Sequence, residues 1–377
     1  MSPPRIMDFN RTVSRPLPLI LNFADGDGET RSLGWNVPPE ELVYIPEHWL
    51  AYEDINPYYH ISLVFLYAFL MFFSLIGNGL VLWIFSLAKP LRTPSNIFVV
   101  NLAFCDFMML TKAPLFIHST LFVGYLEHVH CQAFAAIGAI SGIGAATTNA
   151  AIAYDRYNTI ARPFDGRMTY GKAFFIVICI WCYAIPWIYL PLSETWSRYV
   201  PEGFLTTCSF DYLTPTNEIR TFTGVMFVVC YCIPMSFIIY FYSQIVSHVF
   251  RHEKALREQA KKMNVDSLRS NQDANAQSAE VRIAKAAITI CFLFVAAWTP
   301  YAVVALIGAF GDRSLLTPGV TMIPATFCKT VACFDPYVYA ISHPKYRMEL
   351  SKRIPCLGIK ETPPAAAETQ STTTTTA

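Results

Sequence analysis

The sequence is poor in charge, and the charges it carries nearly cancel. Charged residues make up 15% of the 377-residue chain, with 28 basic against 27 acidic residues. A soluble domain carries about a quarter of its residues as charges. The basic excess that nucleic-acid binding requires is therefore absent. Hydrophobic residues make up 54% of the chain, which favours a membrane protein.

Two further absences narrow the class of protein. The eleven cysteines form no cluster with histidine at a metal-ligand spacing, so no metal site is predicted. Most of them lie in apolar runs, where a free thiol behaves as a small hydrophobic side chain. Residues 1–30 lack the apolar core of a cleavable signal peptide. We therefore expect the first apolar span to act as its own insertion signal.

Long apolar runs are abundant. A bilayer core about 30 Å thick needs roughly 20 mostly apolar residues for each spanning helix. Seven segments meet this requirement: residues 59–87, 95–122, 130–161, 172–193, 220–247, 281–308 and 318–341. They exclude a soluble enzyme and predict an all-α membrane protein with a seven-transmembrane helix bundle. Residues 344–354 predict a short amphipathic C-terminal surface helix.

The location of the charges predicts the orientation in the membrane. Residues 1–57 hold nine carboxylates and four arginines, whereas residues 251–273 hold six basic and four acidic residues. Basic loops remain in the cytoplasm. We therefore predict an extracellular N-terminal tail (1–57), a transmembrane bundle (58–343) and a cytoplasmic surface helix with a Ser/Thr-rich tail (344–377). Asn10 begins a glycosylation sequon on the outer side.

A lysine in the seventh span is the first candidate for chemistry. Lys329 lies near the middle of this span, too deep for its ammonium to reach the headgroups comfortably. Burial disfavours the charged form of lysine and leaves a neutral amine that can attack a carbonyl carbon. The alternative is a lysine paired with a carboxylate inside the membrane. Its position alone does not separate the two interpretations.

Five of the seven spans each contain a different short motif. They are Asn78 in span one, Asn101-Leu102-Ala103 and Asp106 in span two, Asp155-Arg156-Tyr157 at the end of span three, Trp298-Thr299-Pro300 in span six, and Asp335-Pro336-Tyr337-Val338-Tyr339 in span seven. Together they resemble the opsin branch of the rhodopsin-like G-protein-coupled receptors over nearly the whole chain. Ala297 and Asp335 depart from the commonest pattern, where cysteine and asparagine stand, without weakening the resemblance.

The resemblance implies a light-activated receptor and not an enzyme. Lys329, seven residues before Pro336, matches the position that binds 11-cis retinal or 11-cis 3-hydroxyretinal covalently as an imine. Trp298, Tyr301, Gly142 and Phe134 are then expected to line the chromophore pocket. On this resemblance, light would isomerise the chromophore, which would displace Trp298 and move spans five and six outward at the inner face. Activation is thus a population shift between two packings.

Within the opsins the sequence is most similar to the arthropod rhabdomeric branch. Residues 252–264 resemble the third cytoplasmic loop of that branch, and His343-Pro344-Lys345 resembles its tripeptide before the surface helix. The resemblance implies coupling to a Gq-class G protein in the plasma membrane of the rhabdomere, with arrestin and a receptor kinase acting on the tail. Asp155, Arg156 and Tyr157 would form the coupling site at the inner face, with Arg156 reaching Glu280 in an inactive-state lock.

The resemblance also implies a disulfide and a counterion. Cys131 and Cys208 match the receptor disulfide that joins span three to the second outer loop. Vertebrate visual pigments carry a carboxylate three residues after the first of these cysteines, but this chain has Phe134 there. Glu202, six residues before Cys208, matches the loop position of the invertebrate counterion. An exposed loop glutamate is the alternative.

Lys112 in span two is the residue from which we predict the absorption range of the pigment. It resembles a lysine of the insect ultraviolet-sensitive opsins. If the kink at Pro114 turns it inward, its charge opposes a proton on the Lys329 nitrogen, since like charges disfavour the charged form. An unprotonated imine absorbs in the ultraviolet. The alternative is that Lys112 extends its ammonium to the outer headgroups.

Two rival functions are consistent with parts of this pattern. A retinal photoisomerase of the same fold would keep Lys329 but would not need Asp155-Arg156-Tyr157 or His343-Pro344-Lys345. A receptor for a diffusible ligand would keep those cytoplasmic motifs but would have no use for Lys329. The light-activated receptor accounts for both sets of residues.

Overall fold

Seven long helices make up the bundle, in the order that the apolar segments predict. The computed structural model describes residues 31–162, 167–263 and 271–358. The helices are α1 (Pro57–Leu87), α2 (Asn96–Val123), α3 (His128–Ala161), α4 (Tyr170–Leu192), α5 (Asn217–Met226, continued by Phe227–Cys232 and Ile233–Lys262), α6 (Asn271–Phe310) and α7 (Pro318–Ser342). A surface helix, α8 (Pro344–Arg353), follows α7, where the sequence predicts an amphipathic helix.

Six of the described helices, α1 to α6, are long and apolar enough to cross a membrane by themselves. The seventh helix, α7, is more polar because it contains Lys329, Asp335 and two internal prolines. Such residues inside a spanning helix face the bundle interior, where other helices surround them. Lys329 and Asp335 are both buried in this way, so the bundle has seven spanning helices.

Proline changes the course of the second and fifth helices. In α2 the regular helix ends at Thr111 and resumes at Ala113, directly before Pro114. Proline has no N–H to donate and its ring crowds the preceding turn, which explains an interruption here. In α5 a wider π-helical turn, Phe227–Cys232, precedes Pro234. Both departures lie beside the interior of the bundle and shape the space between the helices.

Buried amides join the helices at the positions of the sequence motifs. Asn78 on α1 donates to the Ala332 carbonyl on α7 at 2.7 Å. Asn101 on α2 donates to Thr148 on α3 at 2.7 Å and accepts from Trp181 on α4 at 3.0 Å. Groups without water around them must find such partners inside the protein. These motif residues therefore hold the helices in register.

A two-stranded antiparallel hairpin closes the outer end of the bundle. Strands β1 (Tyr199–Glu202) and β2 (Thr207–Phe210) pair with Glu202 opposite Thr207. The turn between them includes Gly203 and Leu205, both with positive φ, 61° and 60°. Leu205 is a rare case of a bulky residue in the left-handed region. The hairpin lies against α3 because Cys131 and Cys208 are bonded to each other.

The described part of the N-terminal segment, residues 31–56, folds over the outer loops. Trp49 is fully buried there and packs in one cluster with Leu205 and Leu316. His48 bonds through Nε2 to the Leu316 carbonyl at 2.7 Å, and the Asn36 amide donates to Val123 at 2.7 Å. This part of the predicted tail is thus a packed cover. Asn10 and the tail beyond residue 358 lie outside the described residues.

Candidate functional site

A cavity lies among α3, α5, α6 and α7, beneath the β1–β2 hairpin. Its walls are mostly apolar, and Lys329 of α7 forms part of the surface. The Lys329 side chain is 5% exposed, and its Nζ donates to the Ala325 carbonyl one turn earlier. An amine is therefore presented to an apolar space that a small molecule can fill. Such cavities, with a few placed polar groups, are the usual form of ligand sites.

Glu202 of β1 is the one carboxylate among the cavity-lining residues in the described part of the chain. It is 4% exposed and accepts hydrogen bonds on Oε2 from Tyr212 at 3.1 Å and Tyr301 at 3.3 Å. Burial raises the pKa of Glu202, and the charge of Lys329 and the two tyrosine hydroxyls oppose that rise. The loop glutamate is thus buried beside the cavity and not exposed to solvent.

Lys112 also lines the cavity, at the interruption of α2. The side chain is 4% exposed, so it does not extend to the outer headgroups. Its Nζ donates to the Phe134 carbonyl at 3.2 Å and lies 4.2 Å from the centroid of the Phe134 ring. The ring face is electron-rich and attracts the ammonium. The kink before Pro114 therefore holds this lysine inside the bundle.

Phe134 lies outside the cavity surface, which corrects its place among the pocket residues. It is 1% exposed and packs with Cys131 and Cys208 below the hairpin. Its contact is with Lys112, through both its carbonyl and its ring. The disulfide holds this turn of α3 against the hairpin, and the side chain packs beside Lys112 of α2. Phe134 thus positions Lys112.

The two lysines are not paired with a carboxylate. Neither Lys112 nor Lys329 comes within 4.0 Å of an acidic oxygen in the described chain. Both line the same cavity as Glu202. Two amines and one carboxyl group thus share a small apolar volume, where any charges interact strongly because little water screens them. The arrangement does not support the structural ion pair that was the alternative for Lys329.

Trp298 of α6 and Gly142 of α3 meet at the inner end of the cavity. A Cβ atom at Gly142 would lie within about 3 Å of the Trp298 ring, closer than carbon atoms pack. The indole stacks on Phe294, with centroids 5.6 Å apart, and meets Tyr301 edge-on at 6.4 Å. Glycine thus makes room for the indole itself, which lines the cavity.

Several residues of the site carried no signal in the sequence. Ser209 on β2 and Tyr212 just after β2 reach the site, and Ser209 shares a hydrogen bond with Tyr301. Tyr67 of α1 lies on the other side of Lys329, whose Nζ is 5.9 Å from the tyrosine ring centroid. Hydroxyl-bearing side chains are common in loops and helices. Their roles here follow from contacts between distant parts of the chain.

At the inner face, Arg156 pairs with its neighbour in the sequence. Its guanidinium donates to Asp155 at 2.6 Å, and Ser95 donates to the other carboxylate oxygen at 2.8 Å. The side chain of Glu280 lies outside the described residues, so its contact with Arg156 stays a prediction. Tyr157 packs against Phe241 of α5 with ring centroids 5.6 Å apart.

The tripeptide His343-Pro344-Lys345 lies at the start of the surface helix α8. His343 is the N-cap of α8 and accepts a hydrogen bond from the Tyr346 amide at 3.3 Å, while Pro344 is the first helical residue. Proline suits this position because the first N–H groups of a helix have no internal partner. Lys345 is exposed. The tripeptide thus sets the place where the chain leaves α7.

The predicted disulfide between Cys131 and Cys208 is confirmed, and the nine other cysteines are free. Cys208→Ser is expected to lower stability by at most about 4 kcal/mol, because the bond closes a long loop in the unfolded chain. The measurement is the midpoint of thermal unfolding in detergent. Cys179→Ser, which changes an exposed free thiol, is the control. Equal midpoints for the two variants would contradict this role.

Comparison with known proteins gives the class. Residues 77–339 match the family model of the seven-transmembrane receptors of the rhodopsin family. The ultraviolet-sensitive opsin of Apis mellifera is 63% identical over 350 residues, covering 93% of this chain and 94% of that protein. Opsin Rh3 of Drosophila melanogaster is 60% identical over 348 residues, with 92% and 91% covered. Squid rhodopsin has a TM-score of 0.77 at 32% identity and covers 84% of this chain and 92% of its own.

The chain belongs to the rhodopsin family of seven-transmembrane receptors. Within that family it is an arthropod visual opsin, a multi-pass membrane receptor activated by light and not an enzyme. Opsins carry a retinal chromophore, and the cavity fits one. It offers a buried amine at Lys329, a mostly apolar wall and a carboxylate, Glu202. The identity thus agrees with the chemistry of the residues present.

Proposed function

We propose that this chain binds 11-cis retinal, or its 3-hydroxy form, covalently at Lys329 as an imine, absorbs ultraviolet light and activates a Gq-class G protein. One observation carries the proposal: the amine of Lys329, the ammonium of Lys112 and the carboxylate of Glu202 line one apolar cavity under the hairpin. When bound, retinal supplies the absorption of light and the change of shape. All other roles fall to side chains of this protein.

Lys329 supplies the nucleophile. Its surroundings are mostly apolar, and the neutral amine is the form that condenses with an aldehyde. The Ala325 carbonyl accepts from Nζ and holds the side chain in place. The β1–β2 hairpin and the folded segment above it close the outer end of the cavity. That cover protects the bond to Lys329 from hydrolysis.

Lys112 and Glu202 set whether the Lys329 nitrogen carries a proton. Lys112 has a carbonyl and a ring face as partners, neither of which neutralises its charge. Glu202 accepts hydrogen bonds from two tyrosine hydroxyls, which stabilise its negative charge. The balance favours an unprotonated nitrogen in the dark, and hence ultraviolet absorption. If rearrangement after illumination moved the nitrogen toward Glu202, that carboxylate would stabilise a proton there.

Trp298 transmits the change to the inner face. Its ring packs against Gly142 with no room to spare, so it must move when the shape of the ligand above it changes. The indole sits on α6, two residues before Pro300, where a kinked helix can swing. The outward movement of α5 and α6 would free Arg156 from its partners at the end of α3. The inner surface then accepts the G protein.

The remaining partners follow the orientation of the chain. With the N-terminus outside, Asn10 is available for glycosylation and the tail beyond residue 358 faces the cytoplasm. That tail is rich in serine and threonine, so a receptor kinase can phosphorylate it and arrestin can bind the product. We place the receptor in the plasma membrane of the rhabdomere.

Reconstitution tests the proposal directly. The full chain, expressed in cells and incubated with 11-cis retinal, should give a dark absorbance band in the ultraviolet and a visible band after illumination. Acid denaturation should then trap a protonated imine on the protein. A chain that retains no retinal after removal of the free chromophore would refute the proposal and would leave a receptor for a diffusible ligand as the better interpretation.

Charge reversal at the inner face separates coupling from pigment formation. Arg156→Glu should leave the dark spectrum unchanged, because Arg156 lies at the opposite end of α3 from the cavity. It should abolish light-dependent calcium release in cells, because it places two carboxylates side by side where the receptor docks its partner. Arg313→Glu, a charge reversal between α6 and α7 at the outer side, is the control. Wild-type calcium release from Arg156→Glu would refute this docking site.

A further inference from the structure

The cavity has a second end, on α5, whose chemistry the proposed function does not use. Thr223 lines the same cavity as Lys329. The two residues lie on opposite sides of α6, which packs against both α5 and α7. Thr223 is 1% exposed, and its Oγ1 has no hydrogen-bond partner. A buried hydroxyl without a partner destabilises a protein, and each such group calls for an explanation.

The missing partner is unusual for a helical threonine. Thr147, Thr148 and Thr221 each donate to the carbonyl four residues earlier, at 2.7, 2.6 and 2.7 Å. That bond is the ordinary way for threonine to satisfy its hydroxyl within a helix. Thr223 lies only two residues after Thr221 on the same helix, yet its Oγ1 makes no such bond. Its hydroxyl is therefore available to a ligand.

The other hydroxyl groups on the cavity wall already have partners in the described structure. They belong to Tyr199, bonded to Ile188, Ser209 and Tyr301, bonded to each other, and Tyr231, bonded to Thr299. Around Thr223 the wall consists of apolar side chains, among them Met226, Phe227, Ala305 and Leu306. A ligand that enters this end finds one free hydrogen-bonding side chain in an apolar surface. Such a site favours a hydrophobic ring that carries a single polar group.

We propose that Thr223 binds a hydroxyl group on the chromophore ring, so that the cavity selects 11-cis 3-hydroxyretinal over 11-cis retinal. The inference rests on the proposed function, because attachment at Lys329 directs the ring away from α7. Of the two chromophores, 3-hydroxyretinal alone has a polar group on the ring. The Thr223 hydroxyl can donate to it or accept from it. Retinal would leave that hydroxyl unpaired, and sites built for a ligand hydroxyl discriminate against analogues that lack it.

A competition experiment tests this selectivity. The full chain is incubated with equal concentrations of the two 11-cis chromophores, free chromophore is removed, and the bound fraction is extracted and quantified by chromatography. The wild type should bind the hydroxylated form in about three- to tenfold excess, the effect of one net hydrogen bond. Thr223→Val, which keeps the shape and removes the hydroxyl, should bring the ratio close to one. Thr223→Ser should preserve the excess.

Thr221→Val is the matched control, because Thr221 is exposed on the same helix and bonds to its own backbone. It should leave the ratio unchanged. Total chromophore bound reports folding, so loss of selectivity at full uptake is specific. Equal uptake of the two forms by the wild type, or an unchanged ratio in Thr223→Val, would overturn the inference, and Thr223 would then bind a water molecule. Failure to retain either chromophore would instead overturn attachment at Lys329.

Discussion

Lys329→Ala is expected to abolish pigment formation completely. The variant removes the one amine that the cavity presents from α7, and Lys112 is held by Phe134 on the other side. Covalent attachment requires a nucleophilic nitrogen, and alanine has none. The measurement is the absorbance spectrum after incubation with 11-cis retinal and removal of free chromophore. We expect no bound chromophore and no photoproduct.

Two further variants separate the loss of attachment from a loss of folding. Lys329→Arg keeps a positive charge in the same place, but a guanidinium does not form an imine, so pigment should again be absent. Lys172→Ala, which changes an exposed lysine near the start of α4, should give a normal pigment. Surface expression of all three proteins should be similar. A normal spectrum from Lys329→Ala would refute the proposed site of attachment.

Lys112→Glu is expected to move the dark absorbance from the ultraviolet into the visible. Two like charges about 4 Å apart at an effective dielectric constant of 20 repel by about 4 kcal/mol. That is roughly a thousandfold preference for the unprotonated nitrogen, and a larger separation reduces it. Glutamate replaces this repulsion by attraction, so the Lys329 nitrogen should keep its proton. The measurement is the dark spectrum of the reconstituted variant.

Neutral substitutions of Lys112 and Glu202 show how much each residue contributes to the shift in absorbance. Lys112→Ala should shift part of the pigment into the visible, because Glu202 then acts as the nearest charge. Glu202→Gln should leave the dark spectrum in the ultraviolet but weaken the visible band of the illuminated state. A wild-type pigment that already absorbs blue or green light in the dark would refute the ultraviolet assignment, without affecting attachment at Lys329.

The spanning helices were predictable because the bilayer imposes their length and composition. The predicted second span, 95–122, and the observed helix Asn96–Val123 differ by one residue at each end. The fifth and sixth helices extend further, to Lys262 and from Asn271, than the apolar runs 220–247 and 281–308. Those extensions lie beyond the bilayer, where polar helix formers replace apolar residues. Hydropathy therefore does not detect them.

Contacts that join distant segments were not predictable. The bonds from Tyr212 and Tyr301 to Glu202 depend on how the β1–β2 hairpin and the residues after β2 pack against α6. The packed cover formed by residues 31–56 depends on Trp49, which finds Leu205 and Leu316 across the outer loops. Neither set of contacts corresponds to a regular spacing of residues in the sequence. In the same way, Phe134 was expected on the cavity wall but lies behind Lys112.

The sequence by itself determined the seven-helix bundle and the lysine in the seventh span, and the resemblance to known receptors implied the disulfide. An apolar run of bilayer length can only be a helix, and a deep lysine has few stable roles there. The tertiary structure decided which groups that lysine meets. The interruption at Lys112, the hairpin that buries Glu202 and the unpaired hydroxyl of Thr223 come together from α2, β1 and α5. Their interaction depends on distances that packing sets, and in an apolar cavity those distances control where a proton and a ligand can reside.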